Sequence, residues 1–114
     1  MAISAIEALR RKAESGPWNY QNKLLLLEAE VLSAKPNADA KARTKYSASI
    51  AKAKEAKFIH EEGLACELAA LHCIKHDEAT DASQLFEQAL ACYTKWGSQV
   101  KVDSVTEQLR KLHT

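Results

Sequence analysis

The sequence has 114 residues, 46% of them hydrophobic, with only three glycines and two prolines, and this composition excludes a disordered tail and a multidomain enzyme. Sixteen lysines and arginines oppose fifteen aspartates and glutamates, so the formal net charge of +1 lacks the basic excess of a protein that binds nucleic acid over its whole surface. The longest nearly apolar run, Leu24 to Leu32, contains two glutamates and is too short to span a membrane.

Long runs of good helix formers, separated by turn residues such as Pro17, Pro36 and Gly97, predict an all-α fold of about six helices in a single domain. The predicted elements are an N-terminal helix over residues 1–15, a first helix pair over 18–56, a second helix pair over 58–96 and a capping helix over 99–112. No metal, disulfide or cofactor is needed to stabilise a helical core of this size.

The first helix of the second pair is predicted from about residue 59 to residue 75. Its apolar residues recur at three- and four-residue steps, which is typical of a helix with one buried face. We expect that face to consist of Leu64, Ala65, Leu68, Ala69, Leu71 and Cys73.

The cysteines Cys66, Cys73 and Cys92 are odd in number, and the first residues lack the basic and apolar regions of a secretory signal. Both features favour a reducing, intracellular compartment, and we expect a cytoplasmic protein. Free thiols in helices of this kind usually act as small core residues.

The two halves of the chain carry opposite charge, since residues 1–57 hold eleven basic and six acidic groups whereas residues 58–114 hold five and nine. Much of the basic excess lies in one predicted helix that contains Lys41, Lys45 and Lys52. These lysines form either a surface for an anionic partner or an ordinary solvated helix face. Because no aromatic residues and few arginines accompany them, the pattern disfavours nucleic acid.

The two helix pairs resemble each other. Ala82, Phe86 and Ala89 have the small-aromatic-small spacing of the second helix of a tetratricopeptide unit. Forty residues earlier, Ala42, Tyr46 and Ser49 occupy the same positions. Small residues at such spacing allow two helices to cross closely, and this predicts a tetratricopeptide-like stack rather than a generic bundle.

Three segments carry a further resemblance: Asn19 to Leu32 (NYQNKLLLLEAEVL), Tyr46 to Ala70, and Ala91 to Leu109 (ACYTKWGSQVKVDSVTEQL). They resemble the tetratricopeptide-like helical region of large multidomain signalling kinases, in which this region lies between a serine/threonine kinase-like domain and sensor plus histidine-kinase domains. The resemblance covers about residues 17–112. Its most specific pieces are the stretch from His60-Glu61-Glu62 to Glu67 and the ending Tyr93-x-x-Trp96-Gly97-x-x-x-Lys101-Val102, and it departs from the family at Gly63 and Ser49, where alanine is usual.

The sequence contains no kinase glycine loop, phosphate-binding loop or histidine-kinase ATP site, so the resemblance implies a scaffold and carries over no catalysis. We therefore expect a non-catalytic protein–protein interaction module with a protein or peptide partner, no cofactor and a link to signalling. Two repeats fall below the three that a stable solenoid usually needs, so either the flanking helices complete the core or the chain self-associates through an uncovered face, and we expect a homodimer.

The concave groove of a short stack would be lined by the first helix of each pair. The partner-binding residues expected there are Lys23, Leu26, Glu30, His60 and Glu67, with Ile74 further along, and the lysines Lys41, Lys45 and Lys52 are added as a charged surface. Tyr93 and Trp96 are either binding hot spots, if exposed, or an anchor for the capping helix.

His72 and His76 carry the alternative function. Their four-residue spacing lets two imidazoles share a metal ion, and His72 with Lys75 matches the His-x-x-Lys core of histidine-phosphotransfer bundles. A closed zinc site needs four converging ligands, and Cys73 lies about 100° away from His72 around the helix. We therefore expect no metal and no catalytic residue.

Overall fold

The computed structural model of the protein describes residues 19–113, and the predicted helix over residues 1–15 lies outside them. The described residues contain five helices and no strand, which confirms the predicted all-α fold. The helices are α1 (Asn19–Ser33), α2 (Asp39–Glu55), α3 (Ile59–Lys75), α4 (Ala79–Trp96) and α5 (Gln99–Leu112).

The chain divides into two compact units, the first ending at Lys57 and the second beginning at Phe58. In the first unit α1 packs against α2. In the second unit α4 packs against both α3 and α5. None of the helices among residues 19–113 combines the length and the apolar character that crossing a bilayer requires.

The last four helices begin at twenty-residue intervals, at positions 39, 59, 79 and 99. Two residues before each of the last four starts, the backbone adopts a left-handed conformation, with φ of 61° at Asn37, 62° at Lys57, 59° at Asp77 and 89° at Gly97. Gly97 directly follows α4, and a left-handed residue in that position ends a helix and turns the chain back. At Gly97 the N–H bonds the carbonyl of Tyr93 at 2.9 Å, and the N–H of Ser98 bonds the same carbonyl at 3.1 Å.

Among the described residues of the first unit, the core combines small side chains with a large aromatic one. Ala42, Ser49 and Ala53 of α2 are buried together with the ring of Tyr46. The Tyr46 hydroxyl donates to the carboxylate of Glu30 on α1. The small side chains let the two helices lie close, and the tyrosine fills the space between them.

The core of the second unit follows the same rule. The buried face of α3 is composed of Gly63, Ala65, Cys66, Ala69, Ala70, His72 and Cys73, and that of α4 of Ala82, Phe86, Ala89, Cys92 and Tyr93. Gly63 is required by close packing, because a Cβ atom there would lie 2.9 Å from Cε1 of Tyr93 and 3.1 Å from Cβ of Cys92. An alanine could not fit without a shift of the ring.

The expectation that Leu64 and Leu71 lie in the core of this unit is wrong. Both are exposed, with relative exposures of 37% and 38%. The face of α3 that packs against α4 has room only for small side chains, as the contact at Gly63 shows. The larger leucines therefore lie outside it.

The last helix, α5, packs against α4 through Val105, which is fully buried. The Ser98 hydroxyl accepts a hydrogen bond from the N–H of Lys101 at 3.4 Å and caps the helix start. The opposite face of α5 carries exposed polar residues, among them Asp103, Thr106 and Arg110.

Candidate protein-interaction surface

A line of side chains along α3 reaches the surface of the second unit. We call it the α3 stripe, and it consists of His60, Leu64, Glu67, Leu71 and Ile74. Successive members are four, three, four and three residues apart, so they lie within an arc of about 80° on one side of the helix. Leu64, Leu71 and Ile74 are 37%, 38% and 36% exposed, and they form an apolar row on the protein surface.

Glu67, in the middle of the α3 stripe, is held by two groups from other helices. The Tyr93 hydroxyl of α4 donates to its Oε1 at 2.8 Å, and Nζ of Lys101 on α5 lies 3.5 Å from the same oxygen. Lys101 Nζ also lies 5.6 Å from the centre of the Tyr93 ring. The carboxylate is therefore held by a hydrogen bond and an ion pair within the second unit, while Glu67 itself belongs to the α3 stripe.

Tyr93 is almost completely buried beside this carboxylate. Burial raises the pKa of the phenol well above its ordinary value of 10, and the hydrogen bond to Glu67 raises it further. The phenol therefore stays protonated and remains a hydrogen-bond donor at every physiological pH. Of the two interpretations of Tyr93, the anchor for the last helix agrees with this geometry.

The N-terminal end of the stripe is extended by an aromatic residue. The His60 ring stacks on Trp96 at the end of α4, with ring centres 5.0 Å apart and planes at 27°. Trp96 remains 51% exposed. A partly exposed tryptophan beside an apolar row is the residue type that contributes most at protein interfaces.

The other expected partner-binding residues lie on the first unit. Lys23, Glu30, Lys41 and Lys52 are exposed, and Leu26 is half-buried. Glu30 accepts the hydrogen bond from Tyr46 described above.

Lys45, also in the first unit, lies 3.4 Å from a carboxylate oxygen of Glu28. An intramolecular ion pair of this kind is a common surface contact. The lysines of α2 are therefore partly engaged within the first unit.

His72 and His76 come together as their spacing predicts. Their ring centres are 4.5 Å apart, but His72 is only 2% exposed whereas His76 is exposed. A buried imidazole is a poor acceptor for a phosphoryl group delivered by another protein.

The three cysteines, Cys66, Cys73 and Cys92, are buried and are not joined in disulfides. A separate open depression lies where the start of α4 meets the end of α5, and there Ser83 Oγ and Nε2 of His113 are 3.4 Å apart. Neither feature brings a nucleophile, a base and an oxyanion donor together.

Sequence reasoning placed His60, Glu67 and Ile74 on an accessible face but assigned Leu64 and Leu71 to the core. The signal that could have separated them is the size of the side chains. Gly63, Cys66, Ala70 and Cys73 form a row of small residues, which favours close packing on that row and leaves the row of larger residues to the surface.

No protein-family model matches the sequence, and comparisons with curated proteins and with solved structures find no match.

Proposed function

We propose that the protein is a non-catalytic protein–protein interaction module of tetratricopeptide-like type that receives an amphipathic helix on the α3 stripe. The observation that carries the proposal is the exposed apolar row formed by Leu64, Leu71 and Ile74. As the resemblance to signalling kinases implies, we place such a scaffold in a cytoplasmic signalling assembly.

The spacing of the row supports a helical occupant. Side chains that alternate at steps of four and three residues form the seam by which one helix packs beside another at a small crossing angle. Each of the three apolar side chains keeps more than a third of its surface exposed. Covering that surface contributes about 1–2 kcal/mol per residue.

These contributions are small compared with the entropy lost when two proteins associate, so neighbouring groups must take part. Trp96 extends the row at one end, where it stacks on His60. Glu67 can keep its hydrogen bond from Tyr93 and its ion pair with Lys101 when the row is covered, which lowers the cost of desolvating its carboxylate.

The test is photo-crosslinking from a single position on the α3 stripe. A photoreactive phenylalanine replaces Leu71 in the full chain, and a matched variant carries it at Ala91, an exposed position of α4. After irradiation in a lysate of the native cells, mass spectrometry identifies each adduct and the crosslinked residue. We expect adducts to a helical segment of a protein from position 71 and none from position 91.

Adducts from both positions, or from neither, would contradict the proposal. Far-UV circular dichroism of the two variants establishes that each remains folded. Because residue 71 is exposed, a large side chain there should be accommodated without disrupting the core.

A further inference from the structure

We infer that the helix received by the α3 stripe is α3 of a second copy of this chain, packed antiparallel about a twofold axis beside Leu68. The inference rests on the proposed function, since it names the occupant of the same site. The supporting observation is the pattern of charge and side-chain size along α3. Two copies of this helix match each other when they run in opposite directions.

The apolar row is self-complementary when two copies of α3 run in opposite directions. In an antiparallel pair of helices, a residue that is followed by a three-residue step lies opposite a residue that is followed by a four-residue step. Leu64 of one copy then lies opposite Ile74 of the other, and Leu71 lies opposite Glu67. The symmetry repeats both contacts, so every member of the apolar row meets the partner helix.

Glu67 fits this arrangement because its carboxylate is already bound inside its own unit. Its side chain is only 15% exposed, and Oε1 accepts from the Tyr93 hydroxyl at 2.8 Å. The methylene groups of Glu67 can therefore contact Leu71 of the second copy while the carboxylate keeps its partners. A parallel pair would instead place the two Glu67 side chains opposite each other, with their negative charges close together.

The residues that flank the row carry the second part of the inference. Glu61, Leu68 and Lys75 follow one another at seven-residue intervals along one border of the α3 stripe. In an antiparallel pair this border faces the same border of the second helix. Glu61 of each copy then approaches Lys75 of the other, and the two half-buried Leu68 side chains meet at the axis.

The acidic start and basic end of α3 agree with the same orientation. The first turn contains Glu61 and Glu62, and the last turn contains Lys75. Within one chain these charges stabilise α3, because they complement its dipole. An antiparallel neighbour brings the acidic end of each helix to the basic end of the other. Charge therefore selects a second copy and its direction together.

Sedimentation equilibrium of the full chain between about 1 and 300 μM tests the inference. We expect a dimer with a dissociation constant on the order of micromolar, because three partly exposed side chains per copy supply the apolar contact. Leu71→Asp should weaken it by about a hundredfold, since a carboxylate would face Glu67 of the other copy.

Charge reversal tests the orientation. Glu61→Lys and Lys75→Glu should each weaken the dimer by about tenfold, because each replaces two attractive pairs by two repulsive ones. An equimolar mixture of the two variants should recover the affinity of the original chain, since every pair in the mixed dimer is again attractive. Glu87→Lys and Lys95→Glu, at exposed positions of α4, serve as matched controls and should leave the dissociation constant unchanged.

A monomer at the highest concentration, a dimer indifferent to both reversals, or a mixture no stronger than its components would overturn the inference. Circular dichroism of every variant separates loss of association from loss of folding. Crosslinks from position 71 to a different protein, with a monomeric purified chain, would overturn the second copy while leaving the proposed interaction surface intact.

Discussion

Tyr93 connects three helices of the second unit. It lies on α4, its hydroxyl donates to Glu67 on α3, and Lys101 of α5 lies over its ring. Its ring also occupies the space that the absence of a side chain at Gly63 provides. One residue therefore determines how closely α3 and α4 approach and where the last helix begins.

Because burial and the bond to Glu67 raise the pKa of Tyr93 in the folded protein, stability should depend on this residue in alkaline solution. Below a pH of about 10 the phenol is protonated in both the folded and unfolded states, so its contribution is fully present. Above that pH the unfolded state releases the proton while the folded state retains it, and the free energy of unfolding falls as the pH rises.

We predict that Tyr93→Phe lowers the free energy of unfolding by about 1–2 kcal/mol at pH 8, because it removes a buried hydrogen bond to a carboxylate. The difference from the original chain should shrink as the pH rises above about 10. Urea unfolding at a series of pH values measures this, and the difference in tyrosinate absorbance between the original chain and Tyr93→Phe follows the phenol at position 93. A phenol at position 93 that ionises near its ordinary pKa in the folded protein would refute the prediction.

At the scale of the helices, the connections set the regular architecture. Four left-handed residues, twenty positions apart, end helices or the turns that follow them, and only Gly97 is a glycine. Asparagine and aspartate tolerate this backbone conformation better than most residues do, as at Asn37 and Asp77. Lysine does not share that tolerance, so Lys57, with φ of 62°, stores conformational strain.

We predict that Lys57→Gly raises the free energy of unfolding by about 0.5–1 kcal/mol, since relief of the left-handed strain exceeds the added freedom of the unfolded chain. Urea unfolding followed by circular dichroism measures the change. Lys54→Gly is the matched control, because residue 54 lies in the right-handed last turn of α2 and glycine there should destabilise the helix. Equal effects at both positions would show that the backbone conformation at 57 is not the cause.

At the scale of the whole molecule, the outer face of α5 is polar, whereas the corresponding face of α3 is buried and composed of small residues. Forty residues after the buried Gly63, Cys66 and Ala70 of α3, helix α5 carries Asp103, Thr106 and Arg110, all exposed. The guanidinium of Arg110 donates to Glu107 on the same face, with Nε 3.0 Å from Oε2. A polar face at these positions agrees with the predicted capping role of α5, because polar side chains disfavour the packing of a further helix there.

We predict that the double substitution of Thr106→Leu and Arg110→Leu produces larger species than the original chain forms while the helical content is unchanged, since it creates an apolar end face. Static light scattering at increasing protein concentration measures the mass. Glu87→Leu combined with Ala91→Leu, on the exposed face of α4, is the control and should associate less. Loss of helical content in the α5 variant would mean that its outer face is not free, which would contradict the capping role.

The positions of proline and glycine were sufficient, together with the spacing of the small residues, to predict the all-α fold and the approximate helix bounds. Helix propensity and helix-breaking residues act locally, so they can be identified in the sequence. The rings of Tyr46 and Phe86 lie in the cores of their units, as the spacing of the small residues around them indicates. The predicted tetratricopeptide-like stack stays a prediction, and so do the surface formed by Lys41 and Lys52 and the link to signalling.

Which side of α3 is buried was decided only in the tertiary structure. Hydrophobicity alone assigned Leu64 and Leu71 to the core, whereas the close approach of Tyr93 to Gly63 leaves space only for small side chains. Helix propensity and apolar periodicity are properties of a segment and can be obtained from the sequence. The distance between two packed helices depends on both partners at once, and that distance determines which row of side chains remains free to bind another protein.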